Sequence, residues 1–207
     1  MALLPALVIG SQVIFLTVAW LLPAVSQYSV LGDSISELAI GRYGFVQTVA
    51  FLISGLGSIG LAYMIQKLAE KSKKTFIGSL LIAVYGLGAI LSAFFPTDRV
   101  NGPVDWETLS ATGTIHILIA LLSFLCVIIG MVTLTWAFRN EMRWKTLARL
   151  PAVLLPCAAF SLIFAQSQSP LSGLMQRLLV TVISGWLILV AIQVRQITAT
   201  VRKQGAF

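Results

Sequence analysis

Charge is scarce in this sequence. Asp, Glu, Lys and Arg make up 10% of its 207 residues, where ordinary globular domains carry about 25%. So thin a polar cover excludes a water-soluble globular fold. Histidine occurs once, as His116, and no HxxxH, HExxH or CxxC spacing is present, so the residue sets that hold zinc are missing. A haem axial ligand needs only one histidine, but nothing else in the chain supports a porphyrin. No metal and no cofactor is expected. The two cysteines, Cys126 and Cys157, both fall inside apolar blocks and read as small buried hydrophobes rather than a disulfide framework. Internal repeats, low-complexity stretches and disordered linkers are lacking too, and residues 1–207 read as one domain.

What the chain has instead is apolar sequence, 58% of it, in six blocks at about 2–25, 43–66, 75–95, 113–138, 150–166 and 174–194. Blocks of roughly 20 residues match the length a helix needs to cross a ~30 Å hydrocarbon core. Helices also satisfy every backbone polar group internally, as lipid requires. The expected fold class is therefore all-α, a polytopic integral membrane bundle of six transmembrane helices with short loops. Ala24-Val25-Ser26 loosely resembles a leader cleavage site, but no Lys or Arg precedes the first block. That block also outruns the roughly 7–15-residue apolar stretch of a signal peptide, so it reads as a span. The fifth block is short and contains Pro156, which removes a helical hydrogen bond and predicts a kinked span.

The net charge of +7 carries its meaning in its placement. Lys67, Lys71, Lys73 and Lys74 share one loop; Arg139, Arg143, Lys145 and Arg149 share another; Arg195, Arg202 and Lys203 lie in the tail. Those eleven of the fourteen basic residues fall on one side, against Arg42, Arg99 and Arg177 on the other. The positive-inside rule makes the lysine-rich side cytoplasmic, and an even number of spans puts both termini there. Five of the seven acids, Asp33, Glu37, Asp98, Asp105 and Glu107, fall outside. The basic loops signal topology, with anionic-lipid contact as a secondary effect. Membrane lipids are the expected partners and nucleic acid is not; an oligomer or a partner subunit stays open.

Small residues thread spans two and three: Ser54, Gly55, Gly57, Ser58 and Gly60, then Gly78, Ser79, Ala83, Gly86, Ala89 and Ala93. Such residues let helices approach closely in lipid, so these two spans are expected to pack tightly. Gly55-Leu-Gly57-Ser-Ile-Gly60 also matches the dinucleotide-binding pattern, but that chemistry needs a preceding strand and a water-accessible helix start. In mid-span the glycines read as packing. Trp20, Tyr28, Tyr43, Trp106, Trp136 and Trp144 fall near span ends, as an interfacial aromatic belt requires.

The polar residues with chemical potential cluster at the outer ends of the spans. Ser34-x-x-Glu37 is a capping box that satisfies backbone donors of a short helix, with Asp33 placed to complement its positive end. The same stretch also crowds Asp33, Ser36 and Glu37 at a membrane surface. Pro96 stops span three, and Asp98 shapes the turn beyond it. His116 lies one turn inside span four; a lone histidine there is a hydrogen-bonded packing residue or, since ionisable groups in spans face interiors and wet cavities, a functional one. Asp98 and His116 end consecutive helices, which makes an Asp–His contact geometrically reasonable. A third patch joins Gln166-Ser-Gln-Ser169 to Gln176 and Arg177. Arg177 either snorkels to the interface or pairs with Asp98, Glu37 or an anionic ligand through its planar fork.

The order of these motifs, Asp33-Ser-Ile-Ser-Glu37-Leu, then Phe95-Pro-Thr-Asp98, then Gly113-Thr-Ile-His116 ahead of an apolar span, resembles the prokaryotic membrane proteins of domain-of-unknown-function family 998. The resemblance covers nearly the whole chain and implies a multi-pass protein of a prokaryotic cytoplasmic membrane, with no settled activity. The positions it singles out are Ser36, Glu37, Pro96, Asp98 and His116.

The leading functional expectation is a polar pocket at the outer leaflet that binds or handles a lipid or small amphiphile, lined by Asp33, Glu37, Asp98, His116 and Arg177. An enzymatic alternative is a membrane hydrolase or transferase with His116 as general base, Asp98 orienting it and Ser36 or a water as nucleophile. That reading requires Ser36 or a water within hydrogen-bond reach of His116. A proton-coupled carrier would place ionisable groups at mid-membrane, where this chain has none. An accessory subunit of a larger complex would present a small-residue face and no pocket.

Overall fold

The computed structural model describes residues 3–99, 107–149, 151–165 and 170–203; Asp105, Trp106 and the polar patch 166–169 lie outside them. The described residues are helical and contain no strand. Five helices are long and apolar enough to cross a membrane: α1 (Leu4–Leu21), α2 (Gly44–Leu68), α3 (Lys73–Phe94), α4 (Ala111–Phe138) and, after a shorter helix, α6 (Ser172–Lys203). The shorter one is α5 (Pro151–Ala165), 15 residues with Pro156 inside. At 1.5 Å per residue it is only about 22 Å long. Among the described residues six helices have 15 residues or more, and five of them have the length of a full span.

The ends of these helices follow from local chemistry. Ser72 accepts the Thr75 N–H at 3.1 Å and Ser110 the Gly113 N–H at 3.0 Å, each satisfying an orphan donor of a first turn. Phe95 is extended (φ −111°, ψ 90°) because the ring of Pro96 disfavours the helical region for the residue before it. After α1, Pro23 begins one more turn, Pro23–Ser26, which closes on Gln27 in the left-handed region at φ 60°. At the other end of the chain α6 runs well past residue 194, the expected limit of the last block. Its 32 residues reach about 48 Å, longer than a hydrocarbon core. Ile197 is buried in the main core and Val201 packs against it, so the basic tail is a packed helix rather than a loose end.

The helices pack in chain order around the bundle, α1 on α2, α2 on α3, α3 on α4, and α6 closes it by packing on α5, on α1 and on part of α2. Glycines set the closest approaches. A Cβ added at Gly86 would lie 2.6 Å from the Gly55 carbonyl oxygen, and one at Gly55 would collide with the Gly86 carbonyl. The expected tight contact of spans two and three is therefore a backbone-to-backbone seam. Gly57, assigned to the same seam by its spacing, faces Ser11 and Gln12 of α1 instead. Two residues along a helix is about 200° of rotation, so Gly55 and Gly57 look in opposite directions. Gly78 and Gly88 extend the small-residue contact from α3 to α4, meeting Leu134 and Ser123.

A neutral polar knot crosses the bundle interior. Gln12, fully buried, donates from Nε2 to the Ser54 carbonyl (3.1 Å) and to Ser58 Oγ (3.4 Å), and its Oε1 accepts from Ser54 Oγ (3.3 Å) and Ser184 Oγ (3.0 Å). It joins α1, α2 and α6, and its hydrogen bonds are satisfied, as burial demands. On the lysine-rich face, the Glu70 N–H donates to Glu141 Oε1 at 2.8 Å and Gln193 Nε2 to the Arg143 carbonyl at 2.6 Å. Trp144, placed by its position in an aromatic belt, is instead fully buried and stacked on Phe138 at 4.4 Å. Its loop folds back under the bundle, an arrangement hydropathy does not register. Cys157 departs from expectation as well: it is exposed on α5 and not buried.

Candidate functional site

On the face opposite the lysines, residues 27–43 fold over the bundle as a lid. Its first turn is held by Ser29, whose Oγ accepts the N–H groups of Leu31 and Gly32, and by Asp33, whose Oδ2 accepts the Ser29 N–H at 2.6 Å. The capping box is present: the Ser34 N–H donates to Glu37 Oε2 (2.6 Å) and the Glu37 N–H to Ser34 Oγ (3.2 Å). It stabilises a 3-10 turn, Ser36–Ala39, in which Ser36, Glu37 and Leu38 are buried. The lid is fastened to α6, where Leu31 accepts the Leu174 N–H and Gln176 Oε1 accepts the Ile35 N–H at 2.6 Å. Tyr28 lies beneath the Arg99 guanidinium at 4.9 Å.

Arg177 is the largest fastening. It is completely buried and donates from Nε to the Ala19 carbonyl (3.0 Å) and from Nη1 to the carbonyls of Val30 (3.0 Å), Asp33 (2.7 Å) and Gly173 (3.0 Å). Ala19 needs this donor because its helical partner four residues on is Pro23, which has no N–H. The guanidinium does not snorkel to the interface: it sutures the end of α1, the lid and α6, and its buried Nη2 is without a partner among the described residues.

Under the lid, three distant segments meet at His116, which is 3% exposed. Its Nδ1 lies 2.7 Å from the Phe95 carbonyl oxygen and its Nε2 2.8 Å from Ser36 Oγ. A carbonyl only accepts, so Nδ1 carries the proton, and Nε2 is left to accept the Ser36 hydroxyl proton. The result is a directed relay from Ser36 Oγ–H through the imidazole to the Phe95 C=O. The carbonyl is free for this role because the helix breaks ahead of Pro96. A hydroxyl, an imidazole and an orienting carbonyl stand here in the order that acyl-transfer sites use.

Ser36 also lines a partly open pocket between α1, α2, α3, α4 and α6, with about 480 Å³ of free space when the open solvent at its mouth is counted and about 40 Å³ of enclosed cavity. Phe15, Phe51, Phe124 and Val180 make its apolar walls, and Gln176 stands with Ser36 at the lid end. From Ser92 down to Tyr85, both in the lining, α3 rises about 10 Å. One turn outward from Phe51 on α2, Gln47 is fully buried with neither amide atom partnered, which costs about 1–3 kcal/mol.

The residues expected to line a common pocket are distributed otherwise. Asp98 caps α4, accepting the Ser110 N–H (2.7 Å) and Ser110 Oγ–H (2.8 Å); it does not orient His116, whose two ring nitrogens are engaged elsewhere. Asp33 closes a lid turn, Glu37 belongs to the capping box and Arg177 to the suture. None of Asp33, Glu37, Asp98, His116 and Arg177 is in the cavity wall; Ser36, expected as a nucleophile and not as part of that lining, is. Among the described residues no group of three His, Cys, Asp or Glu is placed to hold a metal ion.

A family model for proteins of unknown function, DUF998, matches residues 8–193. The chain belongs to this family. The match extends from within α1 into α6, so that α2–α5, the lid and the Ser36–His116 contact all fall within it. No curated protein and no solved structure matches the DUF998 chain. Sequence reasoning missed the Phe95 carbonyl, which has no letter of its own, and the interior Gln12, whose signal is a lone amide in an apolar block.

Proposed function

We propose that this membrane protein is a serine acyl-transfer enzyme that cleaves an ester-linked lipid or small amphiphile at the outer leaflet. The observation that carries it is the Ser36–His116–Phe95 relay opening onto an apolar cavity. The amphiphile's chain occupies the cavity between Phe15, Phe51 and Phe124, and its ester carbonyl lies at Ser36. Ser36 Oγ attacks the carbonyl carbon while its proton passes to His116 Nε2, and the C=O π pair moves onto oxygen. The imidazolium keeps its Nδ1–H on the Phe95 carbonyl. When that pair re-forms the C=O bond, the ester C–O bond breaks and Nε2 returns the proton to the departing alkoxide. Water, deprotonated by the same Nε2, then attacks the Ser36 acyl ester, releasing the acid and restoring the hydroxyl. A neutral carbonyl orients the ring but compensates its charge less than an aspartate would, so slow turnover is expected.

An alkyl fluorophosphonate should label the detergent-purified protein on Ser36, located by peptide mass spectrometry, and p-nitrophenyl octanoate should be hydrolysed. Ser36→Ala and His116→Ala should each lower hydrolysis by about a hundredfold or more. Ser36→Ala removes one hydroxyl, at a cost near 1 kcal/mol, so it should still fold and melt close to the parent. Full hydrolysis by Ser36→Ala, or a parent that takes up no label, would leave the relay as a packing feature beneath the lid.

The orientation that brings this site to the outer leaflet, in the cytoplasmic membrane of a prokaryote, rests on the eleven-to-three split of basic residues. It makes α5 a sixth, short crossing and puts both termini inside; α5 does run from the loop containing Arg143 toward Ser172, which touches the lid at Gly32. With Cys126 and Cys157 replaced by alanine, Glu107→Cys should react with a membrane-impermeant maleimide on intact cells, and Lys73→Cys only after lysis. Labelling of Lys73→Cys from outside would reverse the topology.

A further inference from the structure

An acyl-transfer site needs more than a nucleophile and a base, because the carbonyl oxygen takes on negative charge as Ser36 adds. Hydrogen-bond donors fixed where that oxygen will lie are worth more than any other single feature of such a site. The relay itself offers none: Ser36 Oγ–H and His116 Nδ1–H are both committed.

Gln176 supplies what is missing. It stands in the wall of the cavity that Ser36 lines, and its amide cannot turn. The Ile35 N–H, a donor only, lies 2.6 Å from one amide atom, which must therefore be Oε1. Nε2 is left as the free end, with no acceptor among the described residues. Ile35 is the residue immediately before the nucleophile, so the bond that holds the amide also ties it to the backbone carrying Ser36. The Ser36 backbone N–H, likewise without an acceptor among the described residues, is the natural second donor.

We propose that Gln176 is a further catalytic residue whose Nε2–H donates, together with the Ser36 N–H, to the oxyanion formed on the substrate carbonyl. This assignment rests on Ser36 being the nucleophile. It also explains why a single side chain on α6 both anchors the lid and faces the cavity: the lid must be in place for the donor and the nucleophile to address the same atom.

Gln176→Glu separates the two roles. A carboxylate still accepts the Ile35 N–H and keeps the lid anchored, but it offers no N–H to the oxyanion. Its kcat for p-nitrophenyl octanoate should fall about a hundredfold to a thousandfold with KM changed little, while the melting temperature in detergent stays near the parent's. Gln176→Met removes both the acceptor and the donor and should lose activity together with thermal stability. An alkyl boronic acid, which forms a tetrahedral anion on a serine, should inhibit the parent and lose affinity for Gln176→Glu to a similar degree. Parental kcat and parental boronate affinity in Gln176→Glu overturn the oxyanion role and leave Ser36 as nucleophile standing. Failure of the fluorophosphonate to label Ser36 in the parent overturns the nucleophile, and this assignment with it.

Discussion

Arg177→Met is expected to be the most damaging single substitution among the groups that fasten the lid, lowering the melting temperature in mild detergent by about 6–12 °C. The figure comes from its hydrogen bonds. Four carbonyl oxygens, from Ala19, Val30, Asp33 and Gly173, accept from one buried guanidinium. Bonds from charged donors contribute about 1.5–3 kcal/mol each, and orphaned acceptors carry a desolvation cost besides. Taking roughly 3 kcal/mol as a minimum, after some relaxation of the lid, and about 2–4 °C per kcal/mol for a chain of this size gives that range. Arg177→Lys should recover part of the loss at most, since a single ammonium cannot address the same fork of acceptors. The Ala19 carbonyl has a particular need, because Pro23 removes its helical donor. Fluorescence-detected size exclusion after heating would measure the shift; a methionine variant as stable as the parent would mean that water or lipid replaces the guanidinium, and the suture would be dispensable.

Gly86→Ala should produce the second large effect, from the addition of one methyl group. Its Cβ would sit 2.6 Å from the Gly55 carbonyl oxygen, with the Ile59 side chain at 2.9 Å. A backbone carbonyl has no rotamer through which to yield, so α2 and α3 must separate. Overpacking of this kind costs about 1–3 kcal/mol, and Gly86→Leu should cost more. The matched control is Gly185→Ala on α6, where nothing lies within 4 Å of the added methyl; glycine is a poor helix former, so this change should leave stability unchanged or raise it by about 0.5–1 kcal/mol. Equal melting temperatures for the two alanine variants would show that the α2–α3 seam has slack, and the close contact of the two backbones would lose its energetic meaning.

The outer-face motifs were legible as chemistry but not as geometry. Ser34-x-x-Glu37 announces its capping box because both partners are three residues apart and the bond is local. Asp98 and His116 look like partners since they end consecutive helices, yet Asp98 turns to Ser110 at the start of α4, and His116, about a turn and a half deeper, faces Ser36 from the lid. Charge proximity along the chain suggests the pair; a hydroxyl and a backbone carbonyl take the two ring nitrogens instead. Along the chain Arg177 reads as an interfacial cation or as a partner for Asp98, Glu37 or an anionic ligand. Nothing in its neighbours shows that a proline far away at position 23 has left a carbonyl in want of a donor.

What the sequence determined by itself is everything that depends on neighbours along the chain: apolar blocks of membrane-spanning length, the stop at Pro96, the capping box of Ser34 and Glu37, and the segregation of basic residues to one face. These are local because hydropathy, backbone hydrogen-bond supply and loop charge are read a few residues at a time. What only the tertiary structure decided is which side of each helix meets which neighbour, and so which polar groups meet at all. Ser36 and His116 are 80 residues apart, and Arg177 and Ala19 are 158 apart. The physical reason lies in the helices themselves. In a chain apolar on nearly every side, hydrophobicity does not fix a helix's rotation about its axis; close contacts such as Gly55 against Gly86 and Gly57 against Ser11 do, and one residue of misreading turns a side chain by about 100°.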